Sequence, residues 1–296
     1  MATMSPSGTD DDRVSVAADA PDATIGFTRV DAQPDASFLI AGMDATAQWP
    51  AVQTLRTWER EHLALRAGES LLDIGSGVGD VAIAHAGIVG PSGSVSAVDP
   101  SEAMLAEGRR RAAAAGVAVD FRTGLGEALP FPDESFDACR SERALQWMTD
   151  PPGAVAEMVR VLRPGGRLVA IDTDWRTFVA DLPDDSAMTS AVDAMLAMRG
   201  EPAVVGRRLL NLARDLGLEG LDVTGAAHIW TAWDPDVEQA PAGFFPLRTV
   251  VPQLVEAGVL DPDDGERFVT EVEGAARRDR LSLSLTMFAV HGRKPA

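Results

Sequence analysis

A glycine-rich loop is the segment of this sequence best suited to bind a ligand. It covers residues 73–80 (DIGSGVGD) and lies between a short apolar strand pattern and a helical pattern. Glycines allow a tight turn and a close approach of the backbone to a ligand, and the first N–H groups of a helix are free to donate. The carboxyl end of a strand faces the ligand crevice in an open α/β sheet. We therefore predict a binding site formed by Asp73, Gly75, Ser76, Gly77 and Gly79.

A second acid, Asp99, ends the next predicted strand. A carboxylate at this position, about twenty residues after the loop, can accept both hydroxyls of an adenosine ribose. The glycine spacing is G-x-G-x-G and not the G-x-G-x-x-G of dinucleotide sites, and Asp73 would repel a pyrophosphate. S-adenosylmethionine carries an ammonium, a sulfonium and ribose hydroxyls but no phosphate. These residues favour that cofactor, and an NAD-dependent oxidoreductase remains an alternative.

Alternating strand and helix patterns after Gly68 must position this site. The predicted strands cover residues 71–74, 94–99, 117–122, 136–140, 167–172, 221–232 and 281–290. Helical segments between strands imply parallel pairing with right-handed crossovers. We predict an α/β fold with a Rossmann-like, doubly wound, mostly parallel seven-stranded sheet and an antiparallel last strand. N-terminal helices and helical cap insertions complete it.

The chain divides into four predicted regions. Residues 1–22 are rich in Ser, Asp, Ala and Pro, cannot bury enough apolar surface to order the chain, and are predicted to be a disordered tail. Residues 23–66 are predicted to be an N-terminal helical lid, and residues 67–176 the core that binds S-adenosylmethionine. Residues 177–296 would supply the remaining strands with helical cap insertions. The segments 177–204 and 233–280 could form a cap or simply cover the sheet.

Composition excludes several classes of partner. The formal net charge of -19 argues against nucleic acid or an anionic membrane. Cys139 is the single cysteine, and no His or Asp spacing indicates a metal site. The sequence has no apolar run of membrane-spanning length and no secretion signal. We expect a cytoplasmic monomer or homodimer that binds a small-molecule substrate and no metal.

Several segments in this order resemble the class I S-adenosylmethionine-dependent methyltransferases, particularly the UbiE-like small-molecule group. The resemblance covers residues 50–176. It is carried by residues 71–80 (LLDIGSGVGD), 98–101 (VDPS) with Met104 and Leu105, 129–131 (LPF) with 135–137 (SFD), and 161–166 (VLRPGG). It implies that Asp73 and the glycine loop hold the methionine part and Asp99 holds the ribose. It also implies that Pro100 and Met104 pack on the adenine and that the backbone at Ser141 lines the methionyl end.

The sequence departs from this family at two positions. An acid that accepts from the adenine amino group is common before the LPF segment, where this chain has Leu125. We expect backbone groups at Leu125 and Gly126 to hold the adenine instead. A histidine is common after the fourth strand, where this chain has Trp147, which could flank the substrate or pack in the core.

Few residues could take part in the chemistry of methyl transfer. The sulfonium supplies the activation, so the protein mainly positions the acceptor, although an O or N acceptor can require a base. The candidates are Asp174, at the end of the fifth strand, and His228, in the sixth; the alternatives are a loop acid and a core histidine. Trp147 and Trp175 are the candidate substrate-binding residues. An apolar pocket is predicted from Phe27, Trp49, Phe178, Trp230, Phe244 and Phe245.

The sequence thus predicts an S-adenosylmethionine-dependent methyltransferase. It would transfer a methyl group to an O, N or C atom of a small, partly hydrophobic metabolite, as in natural-product biosynthesis, and release S-adenosylhomocysteine. One alternative is a methyltransferase-like protein that binds the cofactor but catalyses a cyclisation or rearrangement. Another is a binding or regulatory module with a vestigial pocket.

Overall fold

A computed structural model describes Phe27, residues 30–32 and residues 36–296. The predicted tail, residues 1–22, lies outside the described residues. In the described part, the strands are β1 (Ser70–Ile74), β2 (Ser94–Asp99), β3 (Asp120–Thr123), β4 (Phe136–Glu142), β5 (Leu162–Ala180), β6 (Glu219–Trp230) and β7 (Leu283–Arg293). The helices are α1 (Ser37–Ala47), α2 (Pro50–Leu63), α3 (Asp80–Val89), α4 (Glu102–Ala115), α5 (Pro151–Val161), α6 (Asp185–Arg199), α7 (Val205–Asp215), α8 (Leu247–Glu256) and α9 (Pro262–Arg277).

Within the described residues these strands form one seven-stranded sheet in the order β3-β2-β1-β4-β5-β7-β6. Strand β7 is antiparallel to both of its neighbours, β5 and β6, and the other pairs are parallel. The inner strands β1, β2 and β4 are buried along almost their whole length, as expected for parallel strands covered by helices on both faces. The predicted fold class is confirmed.

Strand β5 is much longer than predicted. The apolar pattern indicated residues 167–172, whereas the strand extends to Ala180 because its second half pairs with β7, from Thr173 opposite Met287 to Ala180 opposite Leu283. The region boundary predicted at residue 176 therefore falls inside a strand. The third strand is shorter than predicted, Asp120–Thr123, and forms an edge of the sheet.

Helices from both ends of the chain pack against the sheet or against one another. Proline begins α2 and separates it from α1, as predicted. Arg111 of α4 donates to Asp44 of α1 at 2.7 Å and to Asp80 at 2.9 Å, which fixes α1 over the core. On the other side α6, α8 and α9 contact one another, and α6 also contacts β5. These helices come from the segments for which the sequence left a cap or a cover of the sheet open. No helix among the described residues is long and apolar enough to cross a membrane.

Ser101 fixes the start of α4, which follows the end of β2. Its Oγ accepts a hydrogen bond from Met104 N at 3.2 Å, and the neighbouring Glu102 N donates to Asp31 at 2.9 Å. We expect Ser101→Ala to lower the free energy of unfolding by about 1 kcal/mol, the usual cost of losing an N-cap. Chemical denaturation followed by circular dichroism measures this. Ser94→Ala, at an exposed strand start, is the control, and an equal loss in both variants would contradict a capping role.

Candidate active site

A cavity of about 380 Å³ opens at the carboxyl edge of the sheet. This volume lies within the range of small-molecule sites. The cavity is bounded by the loops after β1, β2, β3 and β4, by Thr173 and Trp175 of β5, and by α1 and residues 243–245. Of the predicted site residues it is lined by Gly75, Gly77, Asp99, Pro100, Met104, Leu125, Gly126, Trp147 and Trp175.

One half of the cavity, which we call the nucleoside half, is built around Asp99. Its Oδ2 accepts from Gly77 N at 2.8 Å and its Oδ1 accepts from Ser101 N at 2.9 Å. These bonds fix the plane of the carboxylate at the cavity wall, and each oxygen keeps a lone pair that can accept a hydroxyl. Burial raises the pKa of Asp99, and the two N–H donors act against that shift. The geometry suits a ribose with two hydroxyls.

The glycine loop leaves space beside this carboxylate. Gly75 and Gly77 have positive φ angles, 66° and 54°, which favour glycine. A Cβ at Gly77 would collide with the Met43 side chain, and one at Gly126 would lie 2.8 Å from Met148 Cε. Substitution at either position would fill the cavity wall. The loop backbone can therefore approach a ligand closely.

Two buried oxygens beside the loop, Asp73 Oδ2 and Ser76 Oγ, have no hydrogen-bond partner among the described residues. Neither residue lines the cavity, although the sequence placed both in the site. A carboxylate and a hydroxyl oxygen can accept from an ammonium group, directly or through water. Two acceptors without a donor beside the loop are what the ammonium end of S-adenosylmethionine requires.

Asp73 is also held by a partner that the sequence did not indicate. Its Oδ1 accepts from Arg140 at 2.7 Å, and Arg140 also pairs with Glu59 of α2 and with Glu142. Asp73, Glu59 and Arg140 are all buried. The Glu142 carboxylate, which lines the cavity, is bound by Arg56 and Arg143 as well, and these arginines hold its pKa far below the ordinary value against the opposing effect of burial.

Gly79 and Ser141 lie outside the cavity and have packing roles. A Cβ at Gly79 would lie 2.6 Å from the Phe121 ring, so this glycine makes room for an aromatic side chain. Ser141 Oγ donates to Ile74 O at 3.0 Å, which fastens β4 to β1. Their predicted contacts with the cofactor are not supported by the placement of these residues.

The structure does not place either catalytic candidate in the cavity. Asp174 is buried, and its carboxylate pairs with Arg207 of α7 and accepts from Arg176 N at 3.1 Å. His228 stacks on Trp49 with ring centroids 4.1 Å apart, and burial lowers its pKa to about 4. Because both groups lie outside the cavity, we no longer consider them candidates for the base. The described residues contain no group of three His, Cys, Asp or Glu side chains arranged to hold a metal.

The other half of the cavity, which we call the aromatic half, is lined by Trp147, Trp175 and four of the predicted pocket residues: Phe27, Trp49, Phe244 and Phe245. The remaining two, Phe178 and Trp230, pack behind Phe244 with centroids 5.0 and 5.2 Å away. This surface suits a flat, apolar ligand.

Polar residues of the aromatic half were missed by the sequence analysis. Gln146 Oε1 accepts from Trp175 Nε1 at 2.5 Å and from Arg199 at 3.0 Å, and its Nε2 donates to Thr173 Oγ1 at 3.3 Å. Thr173 and Gln146 both line the cavity. The only sequence signal was the position of Gln146 next to Trp147, in the segment where the related family often has histidine.

Known proteins resemble this chain in sequence and in fold. Residues 72–170 match the family described as methyltransferase domain. UbiE, the ubiquinone/menaquinone biosynthesis C-methyltransferase of Hahella chejuensis, is 42% identical over 122 residues, which are 40% of this chain and 49% of the relative. The chain spans about half the length of the first curated relatives it matches.

Two solved structures share the fold. The YcgJ protein of Bacillus subtilis has a TM-score of 0.56 at 22% identity, over 82% of this chain and 99% of that one. Phosphoethanolamine N-methyltransferase 2 of Haemonchus contortus, in complex with S-adenosylmethionine, has a TM-score of 0.56 at 17% identity, over 90% of this chain and 59% of that one.

The family match assigns a methyltransferase domain to residues 72–170, and the solved structures share the fold that surrounds it. Within that region the sequence is similar to UbiE C-methyltransferases.

Proposed function

We propose that this protein transfers the methyl group of S-adenosylmethionine to an O, N or C atom of a small, partly hydrophobic metabolite. The observation that carries the proposal is Asp99, a carboxylate fixed at the cavity wall by Gly77 N and Ser101 N. It lies beside a glycine loop that leaves room for a ligand. Natural-product biosynthesis is one setting for an acceptor of this kind.

The nucleoside half of the cavity would bind the cofactor, and the aromatic half would bind the acceptor. Asp99 would accept the ribose hydroxyls, Pro100 and Met104 would pack on the adenine, and Leu125 and Gly126 would flank it. When bound, the cofactor supplies an activated methyl group on a positively charged sulfur. Trp147 and Trp175 would hold the acceptor and exclude water, so that positioning supplies most of the protein's share of the rate.

Methyl-labelled S-adenosylmethionine tests the proposal. Incubation of the full chain with the labelled compound and a panel of small aromatic acceptors should give a labelled product and S-adenosylhomocysteine, detected by mass spectrometry. A product of unchanged mass, with the cofactor retained intact, would support a cyclisation or rearrangement instead. Cofactor binding without turnover of any acceptor would favour a binding module.

We expect Asp99→Asn to weaken S-adenosylhomocysteine binding about 10- to 100-fold, because a charged hydrogen-bond acceptor for the ribose is lost. Isothermal titration calorimetry measures the change. Asp120→Asn is the matched control, since Asp120 pairs only with Arg122 in the bonds described and its side chain is half exposed at the edge strand. Equal affinities in both variants would remove Asp99 from the site.

A further inference from the structure

Arg199, the last residue of α6, is a half-buried cation whose guanidinium packs behind the aromatic half of the cavity. Its guanidinium carbon lies 3.9 Å from the ring centroid of Trp147 and 4.8 Å from that of Trp175. Its Nη2 donates to Gln146 Oε1 at 3.0 Å. Its Nε and Nη1 are buried and have no hydrogen-bond partner among the described residues. Buried unsatisfied donors are rare in native structures and call for a partner.

Asp172 is the carboxylate whose charge acts on Arg199, but the two side chains do not form an ion pair. Asp172 instead accepts from Thr173 N at 2.7 Å and from Gln146 N at 3.2 Å. Burial raises the pKa of Asp172 to about 7 and lowers the pKa of Arg199 to about 9. At neutral pH the guanidinium is therefore charged while the carboxylate is only partly charged. Behind the two tryptophans, the Arg199 guanidinium has no ion-paired carboxylate among the described residues.

The other ionisable groups that line the cavity do not balance this charge. Glu142 already forms ion pairs with Arg56, Arg140 and Arg143. Arg143 also lines the cavity. Glu127, next to Gly126 in the chain, already accepts from Thr149 N at 2.9 Å. Among the described residues that line the aromatic half, no carboxylate or imidazole is available to take a proton from an acceptor.

Thr173 supplies a hydrogen-bond donor at this wall. Its Oγ1 accepts from Gln146 Nε2 at 3.3 Å, so its own hydroxyl hydrogen is free to be donated to another group. A donor at the wall with a cation behind it is an arrangement that stabilises a negatively charged oxygen. It would oppose the binding of a protonated amine.

We propose that Thr173 and Arg199 form an anion subsite, which selects an acceptor that carries an oxyanion on a planar ring, such as a phenolate or a carboxylate. This inference rests on the proposed function. Thr173 would touch the oxyanion, and Arg199, which does not line the cavity, would act as a positioning residue through Gln146 and the tryptophan rings.

The proposal explains how a methyl group can be transferred although no described side chain of the aromatic half can act as a base. An acceptor that binds already ionised uses its own electron pair to form the bond to the methyl carbon. The bond between that carbon and sulfur breaks, and its electron pair stays on sulfur as a neutral thioether. The acceptor thereby loses its negative charge. Where a ring carbon is methylated, its proton leaves to water afterwards.

Titration of 4-nitrophenol bound to the full chain with S-adenosylhomocysteine tests the subsite, because its phenolate absorbs visible light. A nearby cation should lower the pKa of the bound probe by about one unit relative to the free probe. Arg199→Met should remove most of that shift, and Arg199→Lys should retain it. Thr173→Val should weaken binding of the ionised probe. Arg208→Met, which changes an exposed arginine paired with Glu201, should change nothing.

Two further ligands show which kind of anion the subsite binds and whether it prefers an anion to a cation. Benzoate should compete with 4-nitrophenol if any ring oxyanion is accepted; failure to compete would restrict the subsite to phenolates. Benzylamine, a cation of similar size, should bind more weakly than either. An unchanged or raised pKa of the probe, no saturable binding of it, or tighter binding of benzylamine would overturn the subsite.

Calorimetry with S-adenosylhomocysteine on the same samples separates the two proposals. If that compound binds but the probe's pKa does not fall, the anion subsite is wrong and the proposed function stands. If S-adenosylhomocysteine does not bind, the proposed function is wrong, and the subsite that rests on it is wrong as well. Thr173→Val and Arg199→Lys are close in shape to the residues they replace, so the test does not depend on the folding of Arg199→Met.

Discussion

Replacing Gly77 by valine should abolish S-adenosylhomocysteine binding in a chain that still folds. Gly77 lines the cavity with φ at 54°, and a Cβ there would collide with Met43. The larger side chain would occupy the space between the loop and α1 where the backbone must approach the ligand. We expect affinity to fall by about 100-fold or more, measured by isothermal titration calorimetry.

Gly90→Val separates this effect from backbone strain. Gly90 also has a positive φ, 66°, but no heavy atom lies within 4 Å of a Cβ built there. Valine at either position strains a positive-φ backbone by about 1–3 kcal/mol, and Gly90 lies in an extended region that only glycine adopts readily. Only the Gly77 variant should lose the ligand. If both variants bind as the unmodified chain does, the glycine loop is not part of the site.

Arg140→Met should lower the free energy of unfolding by about 3–5 kcal/mol, the scale for breaking a buried ion pair by removing one partner. Arg140 bridges Glu59 and Asp73, and all three side chains are almost fully shielded from water. Methionine fills much of the volume but leaves two carboxylates buried without their cation. Urea unfolding followed by circular dichroism measures the loss.

Arg160→Met is the matched control for this second prediction. Arg160 pairs with Asp133 and Glu157, but its side chain is 31% exposed and that of Asp133 is 74% exposed. Solvent screens such pairs, so the loss should stay below about 1 kcal/mol. A loss in Arg140→Met no larger than in the control would contradict a buried network that holds Asp73 in place.

Much of the fold could be predicted from the sequence because its signals are local. The apolar runs of β1 and β2, the serine that caps α4 and the proline that begins α2 all lie within the elements they define. The second half of β5 could not be predicted in this way. It becomes strand by pairing with β7, more than a hundred residues later in the chain, and no pattern in residues 173–180 reveals that partner.

The same distinction applies to the site. Asp99 and the glycines at 75 and 77 line the cavity because strand ends and loops place them there directly. Asp174 was chosen for its position at a strand end, but its partner Arg207 comes from a helix whose contact depends on tertiary packing. His228 likewise stacks on Trp49, a contact that depends on tertiary packing.

Arg199 shows what a sequence cannot reveal about electrostatics. In the chain it is an ordinary basic residue at the end of a helix, where it suits the helix dipole. Its packing against Trp147 and Trp175, and the two guanidinium nitrogens that find no partner in the part of the chain that the structure describes, arise only when α6 folds over β5. The specificity that we propose for the acceptor therefore depends on packing and not on a motif.

The central claim is that the cavity binds a phosphate-free, positively charged nucleoside, and a calorimetric comparison of three ligands tests it most directly. The full chain is titrated separately with S-adenosylmethionine, S-adenosylhomocysteine and NAD. We predict saturable, one-to-one binding of the first two and no measurable heat from NAD. Tight binding of NAD, with no binding of either sulfur compound, would contradict the assignment.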